Sequence, residues 1–315
     1  MNRITEEQKS FVKSSNDVRH NNGLEKEQTV DDARSIPKVE TLMKSVCMIT
    51  RTDSSTVKGT GFLAKIKGKG VCFFGAGHSF KQLIQAVEND QKNWNAELDK
   101  YLVHFGNLAG ILPTESTTTS PPTKDKPMKL REFLCHFDNF YGSMSYKGRR
   151  TVFKKMPNGH NREVFNQENS ETDEDYCALC LVDKDINSKL CDLGLSHLQC
   201  GETYYLEYNH LGLVTIFGHP GGNATEITSE GLKVRPLRYS FGQEKIDANL
   251  SRNRLAFDYD STGGNSGSPV LGRGQKSHGS TKEQAYLVKG IHVEGCHLNY
   301  AQKLTAVQNW IDCGN

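Results

Sequence analysis

The sequence predicts an all-β architecture, a sandwich or a pair of barrels. Three observations carry this expectation. Short runs of branched and aromatic residues follow one another, separated by glycine, lysine and turn residues. Only two stretches have helical spacing, and no internal repeat divides the chain.

Residues 1–38 are polar and mixed in charge, and they read as a disordered arm. The folded part, 39–315, begins where VETLMKSVCMITR, GTGFLAKIKG and KGVCFFGAGHSF supply the first strands. FKQLIQAVENDQKNW follows as a helix, with Phe80, Leu83, Ile84 and Val87 on one face. TESTTTSPPTKDKP (114–127) reads as a flexible insert that proline and threonine keep from packing. Further strands are expected in RRTVFKKM, DYCALCLV, ETYYLEY, GLVTIFGH, NRLAFDYD, GSPVLG and AYLVKGIHV. LTAVQNWIDC places Leu304, Val307 and Ile311 or Trp310 at helical spacing, a short closing helix over about 303–313.

Bulk composition narrows the function. Of 315 residues, 36% are hydrophobic and 24% charged, with a net charge of +2. Such a balance predicts no strong attraction to nucleic acid or to a membrane surface. The basic cluster KGRRTVFKK (147–155) therefore reads as a solvated strand face. No apolar run reaches transmembrane length, and MNRITEEQKSFVKSSNDVRHNN lacks the core of a signal peptide. A cytoplasmic or nuclear location is the expectation. Nine cysteines, an odd number, with Cys47 and Cys72 in apolar runs, read as buried reduced thiols. Cys177 and Cys180 form a CxxC, with Cys191, His197 and Cys200 downstream. On a strand, residues three apart point to opposite faces, so this pair does not converge on a metal. Neither metal nor cofactor is expected.

Residues 258–270, DYDSTGGNSGSPV, gather three glycines and three serines around one point. A serine nucleophile needs a base within hydrogen-bond reach, an orienting group for that base, and preorganised donors for the oxyanion. Ser266 is the candidate nucleophile, with the N–H groups of Gly264 and Ser266 as donors. GAGHSF supplies His78 at the end of a strand, and DEDYCALCLV supplies Asp175, with Asp173 as the weaker alternative.

The ordered trio GTGFL…GAGHSF, DYCAL and TGGNSGSPV resembles the trypsin-like serine proteases, from about residue 42 to 313. The texture is closest to glutamyl endopeptidases and HtrA-like enzymes. STGGNSGSPV followed by LVKGIHVEG resembles their serine loop and the strand after it. LGLSHLQCGETYYL…IFGHPGG resembles the opening of their second barrel, and LTAVQNWI their terminal helix. The resemblance implies two six-stranded antiparallel β-barrels, here about 42–185 with an insert at 95–170, and about 190–302. It implies His78 as general base, Asp175 as its orienting partner and Ser266 as nucleophile, acting on a protein or peptide substrate. The sequence departs from that pattern in the long His78-to-Asp175 gap, 97 residues, and in Ser79, which stands where digestive enzymes carry a disulfide cysteine.

The same resemblance bears on specificity. GIHVEG would wall the pocket for the residue before the cleaved bond, with Gly290, His292 and Val293 lining it and Ser261, five before Ser266, as the partner hydroxyl. A histidine and a hydroxyl there can donate to a Glu or Gln side chain. Three rival classes remain open. One is an inactive protease fold that binds peptide or protein, one an esterase using the same triad, and one a nucleic-acid role for the basic cluster.

Overall fold

Alternate residues of the strand VCFFG face two different cores, and this explains its nearly unbroken apolar run. In the computed structural model that strand spans Gly70–Gly75. Val71 and Phe73 enter a core on one side, while Cys72 and Phe74 enter a second core on the other. The structure describes residues 28–29, 39–66, 68–89, 94–106, 108–110, 127–157, 163–168, 174–200, 213–220, 226–227, 233–247, 249–278, 281–295 and 298–307. The expected strand in ETYYLEY, most of the insert 114–127, Asp173 and the end of the closing helix lie outside these. Residues 304–307 are helical.

The main strands are β1 (Val46–Arg51), β2 (Ser54–Ile66), β3 (Gly70–Gly75), β4 (Tyr101–Phe105), β5 (Asn139–Tyr146), β6 (Arg149–Pro157), β7 (Glu163–Glu168) and β8 (Asp175–Val182). They continue as β9 (Leu198–Cys200), β10 (Leu213–Gly218), β11 (Arg238–Lys245), β12 (Arg254–Phe257), β13 (Pro269–His278), β14 (Thr281–Gly295) and β15 (Asn299–Lys303). The all-β fold is as expected. In the C-terminal half, β10–β11–β12–β15–β14–β13 close a ring, β13 returning to β10, and every pair is antiparallel. In the N-terminal half the ladder runs β4–β1–β2–β3–β8–β5–β6–β7, again antiparallel. Strand β9 joins the halves, pairing in parallel with β2 and β14.

Much of the stretch read as an insert, 95–170, is therefore sheet: β4, β5 and β6 are integral rungs. Of these, β6 coincides with the expected strand RRTVFKKM, whereas β4 and β5 were not marked in the sequence. Residues 39–45, expected as strand, form a helix, Val39–Ser45. Glu40, Leu42, Met43 and Lys44 are strong helix formers, and Ser45 Oγ donates to the Thr41 carbonyl at 2.6 Å, one helical turn back. Within the arm, Gln28–Thr29 pairs with Arg238 and Tyr239 at the edge of β11. The helix after His78 spans Lys81–Asn89 and buries Leu83, Ile84 and Val87 beside Phe80.

The second core spans the two halves. Phe62, Phe74, Tyr176 and Ala178 from the N-terminal sheet pack with Phe217, Leu271, Val288 and Ile291 from the barrel. This shared core holds the ends of β3 and β8 against the loop before β13. Cys177 and Cys180 do face opposite cores, so the CxxC pair is split. The expectation that every thiol is reduced is corrected: Cys72 and Cys180, paired rung to rung on β3 and β8, form a disulfide. Adjacent cysteines on neighbouring strands were invisible to a reading that did not know which strands pair. Arg150, expected on a solvated face, is buried, and its Nε donates to Ser143 Oγ at 3.2 Å. Arg149 does face solvent, where it pairs with Glu88 at 2.7 Å. Among the described residues no helix is long and apolar enough to cross a membrane.

Candidate active site

His78 sits in a short 3₁₀ turn, Gly77–Phe80, where β3 ends. The turn presses against the neighbouring strands so closely that a Cβ on Gly77 would lie 1.9 Å from the Ser145 carbonyl oxygen. Only glycine permits that approach. Asp175 opens β8, the neighbour of β3. Its Oδ1 accepts the His78 backbone N–H at 2.7 Å, and its Oδ2 lies 2.7 Å from the imidazole Nδ1. An ionised carboxylate only accepts, so Nδ1 carries the hydrogen and Nε2 is left as the basic nitrogen. Burial is the largest single influence on the imidazole and lowers its pKa. The Asp175 hydrogen bond and charge, with help from Glu294 and against Arg254, outweigh it, and the net displacement is upward.

Ser266 arrives from the other half on the loop before β13. Two glycines shape that loop, Gly264 at φ 101° and Gly267 at φ 94°. Asn265 N–H donates to the Thr262 carbonyl at 3.1 Å and Ser268 N–H to the Asn265 carbonyl at 2.9 Å. Gly267 N–H donates to His292 O at 2.6 Å, and His292 N–H returns to Ser268 O at 2.9 Å. Two contacts bring this loop to His78. A Cβ on Gly267 would lie 2.0 Å from Thr60 O and 2.9 Å from the nitrogen of Ala76, two residues before the histidine. A Cβ on Gly59 would lie 2.5 Å from both Ser266 O and Ser79 Oγ. The Ser266 carbonyl and the hydroxyl of Ser79, the residue after the histidine, therefore flank one glycine of β2. The Ser266 hydroxyl donates to the Val293 carbonyl at 3.4 Å. Among the described residues, the N–H groups of Gly264 and Ser266 find no protein acceptor.

The remaining sequence candidates surround the loop. Gly290 lies on β14, where a Cβ would meet Gln302 O at 2.7 Å, and Val293 is buried. His292 is also buried, with Nδ1 and the Tyr259 hydroxyl 2.9 Å apart. Burial, followed by the proximity of His78, drives its pKa down to about 3, so the ring is neutral. Ser261 is less available than the sequence suggested: its hydroxyl donates to Asn299 Oδ1, and Asn299 Nδ2 donates to the Tyr259 carbonyl. Asp173 lies outside the described residues. Among those described, no group of three His, Cys, Asp or Glu side chains is placed to hold a metal ion.

No family model matches the chain, and no curated protein matches it. Among solved structures it is similar to human heparin binding protein, at 10% identity and a TM-score of 0.42, covering 87% of this chain and 92% of that one. Two mutants of the same protein give 11% and 9% identity, each at a TM-score of 0.41 with 86% and 87% of this chain covered, and 90% and 91% of theirs.

Three residues escaped the sequence reading. Thr60 joins the two halves at the serine loop, and Tyr259 and Asn299 link Ser261 to His292. Thr60 stands in GTGFL and Tyr259 in DYDSTGG, both singled out for their neighbours. No signal marked Asn299, because its role depends on β15 lying beside β12 and β14.

Proposed function

We propose that the protein is a serine endopeptidase of the trypsin-like kind. The observation that carries this reading is the His78 imidazole held at two points by Asp175, beside a glycine-shaped loop that presents Ser266. In the proposed cycle Ser266 Oγ attacks the substrate carbonyl carbon while Nε2 of His78 takes its proton. The oxyanion that forms is met by the Gly264 and Ser266 N–H groups, each worth about 3 kcal/mol of barrier. His78 then gives the proton to the leaving amine, the C–N bond breaks, and an acyl-enzyme ester remains. Water, deprotonated by His78, hydrolyses the ester and restores Ser266. Asp175 keeps the proton on Nδ1 and stabilises the imidazolium.

For specificity we propose a Glu or Gln side chain before the cleaved bond. A neutral His292 whose Nδ1 accepts from Tyr259 presents Nε2–H as a donor, which suits a carboxylate or an amide oxygen. Ser261 would contribute little, since its proton is engaged by Asn299. A peptide-library cleavage profile dominated by Phe, Arg or Ala at that position would rule this out.

One observation favours a second reading, an inactive fold that binds peptide: the Ser266 hydroxyl turns to Val293 O rather than to the imidazole. A fluorophosphonate probe separates the two. Labelling of the wild type but not of Ser266→Ala, with cleavage of a protein substrate, supports the endopeptidase. No labelling of either supports the binding module.

A further inference from the structure

The loop that carries Ser266 contains two successive glycines, Gly263 and Gly264. A Cβ on Gly263 would meet nothing within 4 Å, and Gly264 stands at φ 101°. Glycine restricts its own backbone little, so the direction of the Gly264 N–H has to be imposed from outside the loop. The contacts that hold the Gly264 and Ser266 carbonyls from outside the loop converge on Thr60, a fully buried residue of β2 in the half that carries His78. Its backbone N–H donates to Ser266 O at 2.7 Å. Its hydroxyl donates to Gly264 O at 2.8 Å and accepts the His219 N–H at 3.0 Å, just past the end of β10. One side chain thus ties β2, the serine loop and the barrel.

We infer that Thr60 is a positioning residue that clamps the Gly264–Ser266 loop and so aims the two oxyanion donors from the histidine-bearing half. The hydroxyl is the specific element. Its bond to Gly264 O orients the peptide after Gly264, and the backbone bond to Ser266 O fixes the other end of the same three residues. Valine keeps the shape and the backbone bond but loses the hydroxyl. Serine keeps the hydroxyl and loses only a methyl group. The catalytic consequence rests on the endopeptidase reading above, whereas the clamp does not.

The test compares wild type, Thr60→Val and Thr60→Ser on a peptide amide and on a matched pair of oxo and thiono esters. Replacing the carbonyl oxygen by sulfur weakens the acceptor that the donors are built to meet, so the oxo-to-thiono rate ratio reads the aim of those donors. In Thr60→Val, kcat should fall about tenfold or more with KM little changed. The oxo-to-thiono ratio should fall with it, and Thr60→Ser should recover both. An unchanged kcat, an unchanged ratio, or a Thr60→Ser as impaired as Thr60→Val would overturn the inference. Should Thr60→Val not fold, Thr60→Ala takes its place in the same comparison. If the wild type shows neither turnover nor probe labelling, the endopeptidase reading fails, and amide hydrogen exchange over 262–268 then decides the clamp. Faster exchange in Thr60→Val than in wild type and Thr60→Ser supports it, and equal exchange in all three overturns it.

Discussion

Asp175 acts on His78 twice, through the backbone N–H and through Nδ1, so it sets both the place of the ring and its tautomer. The net upward displacement of the His78 pKa gives the pH dependence its sign. The basic form exists above that raised pKa, so kcat/KM should be lost as pH falls through a value above 6.5, the ordinary figure for the group. Asp175→Asn removes the carboxylate that raises the pKa. The acid limb of the profile should then move to lower pH while kcat drops by about 10⁴-fold, as expected for a wrong tautomer. His292 behaves in the opposite way. Its folded pKa of about 3 lies below the unfolded 6.5, so protonation favours the unfolded chain. The folded state should therefore lose about 1.4 kcal/mol for each pH unit below the unfolded value. In urea denaturation at neutral pH and about two units lower, His292→Gln should show a shallower loss than wild type. Equal losses in the two proteins would contradict the burial assigned to this ring.

At the scale of elements, the serine loop and the strand β2 fit together with almost no clearance. Gly267 combines φ 94° with a Cβ position 2.0 Å from Thr60 O. Gly267→Ala should destabilise the protein by about 2 kcal/mol or more and abolish probe labelling, because backbone and not a flexible side chain stands in the way. Gly263→Ala is the control. With nothing within 4 Å of its Cβ, it should change stability by less than about 0.5 kcal/mol. Thermal melting of the two variants side by side checks both. The hairpin of β5 and β6 also belongs here. Its turn, at Lys147 and Gly148, places Tyr146 6.2 Å from the His78 ring and opposite Asp175 in register, so residues far along the chain border the site.

For the whole molecule, the decisive feature is the core shared by the N-terminal sheet and the barrel. Phe74 is fully buried in it, stacked on Phe62 at 5.2 Å between ring centroids. Phe74→Ala should cost about 3–5 kcal/mol, the ordinary range for emptying such a site. Because that core serves both halves, denaturant should still unfold the variant in one transition at a lower midpoint. Two separate transitions would mean that the halves are stable alone. The same coupling explains why the candidate site lies where it does. His78 and Asp175 stand at the ends of strands on one side of this core, and Ser266 on a loop from the other.

Local pattern was enough for strands such as β2, β3, β8 and β13, whose branched and aromatic runs stand out, but it left β4, β5, β11 and β15 unmarked and took 39–45 for strand. It was enough also for the helix at Phe80, Leu83, Ile84 and Val87, whose spacing has no other use. It singled out His78, Asp175 and Ser266, each from the residues around it. Pairing was not legible. Whether Cys72 meets Cys180, whether residues 95–170 are insert or sheet, and which residue holds Gly264 all depend on segments far apart in the chain. By itself the sequence determined the all-β class and the chemistry of the candidate groups, since both depend on residue type and short spacing. Only the tertiary structure decided that Asp175 lies on Nδ1 of His78 and that Thr60 reaches the serine loop, because those contacts join residues 97 and 204 positions apart, and only the packing of the two halves brings them within a hydrogen bond.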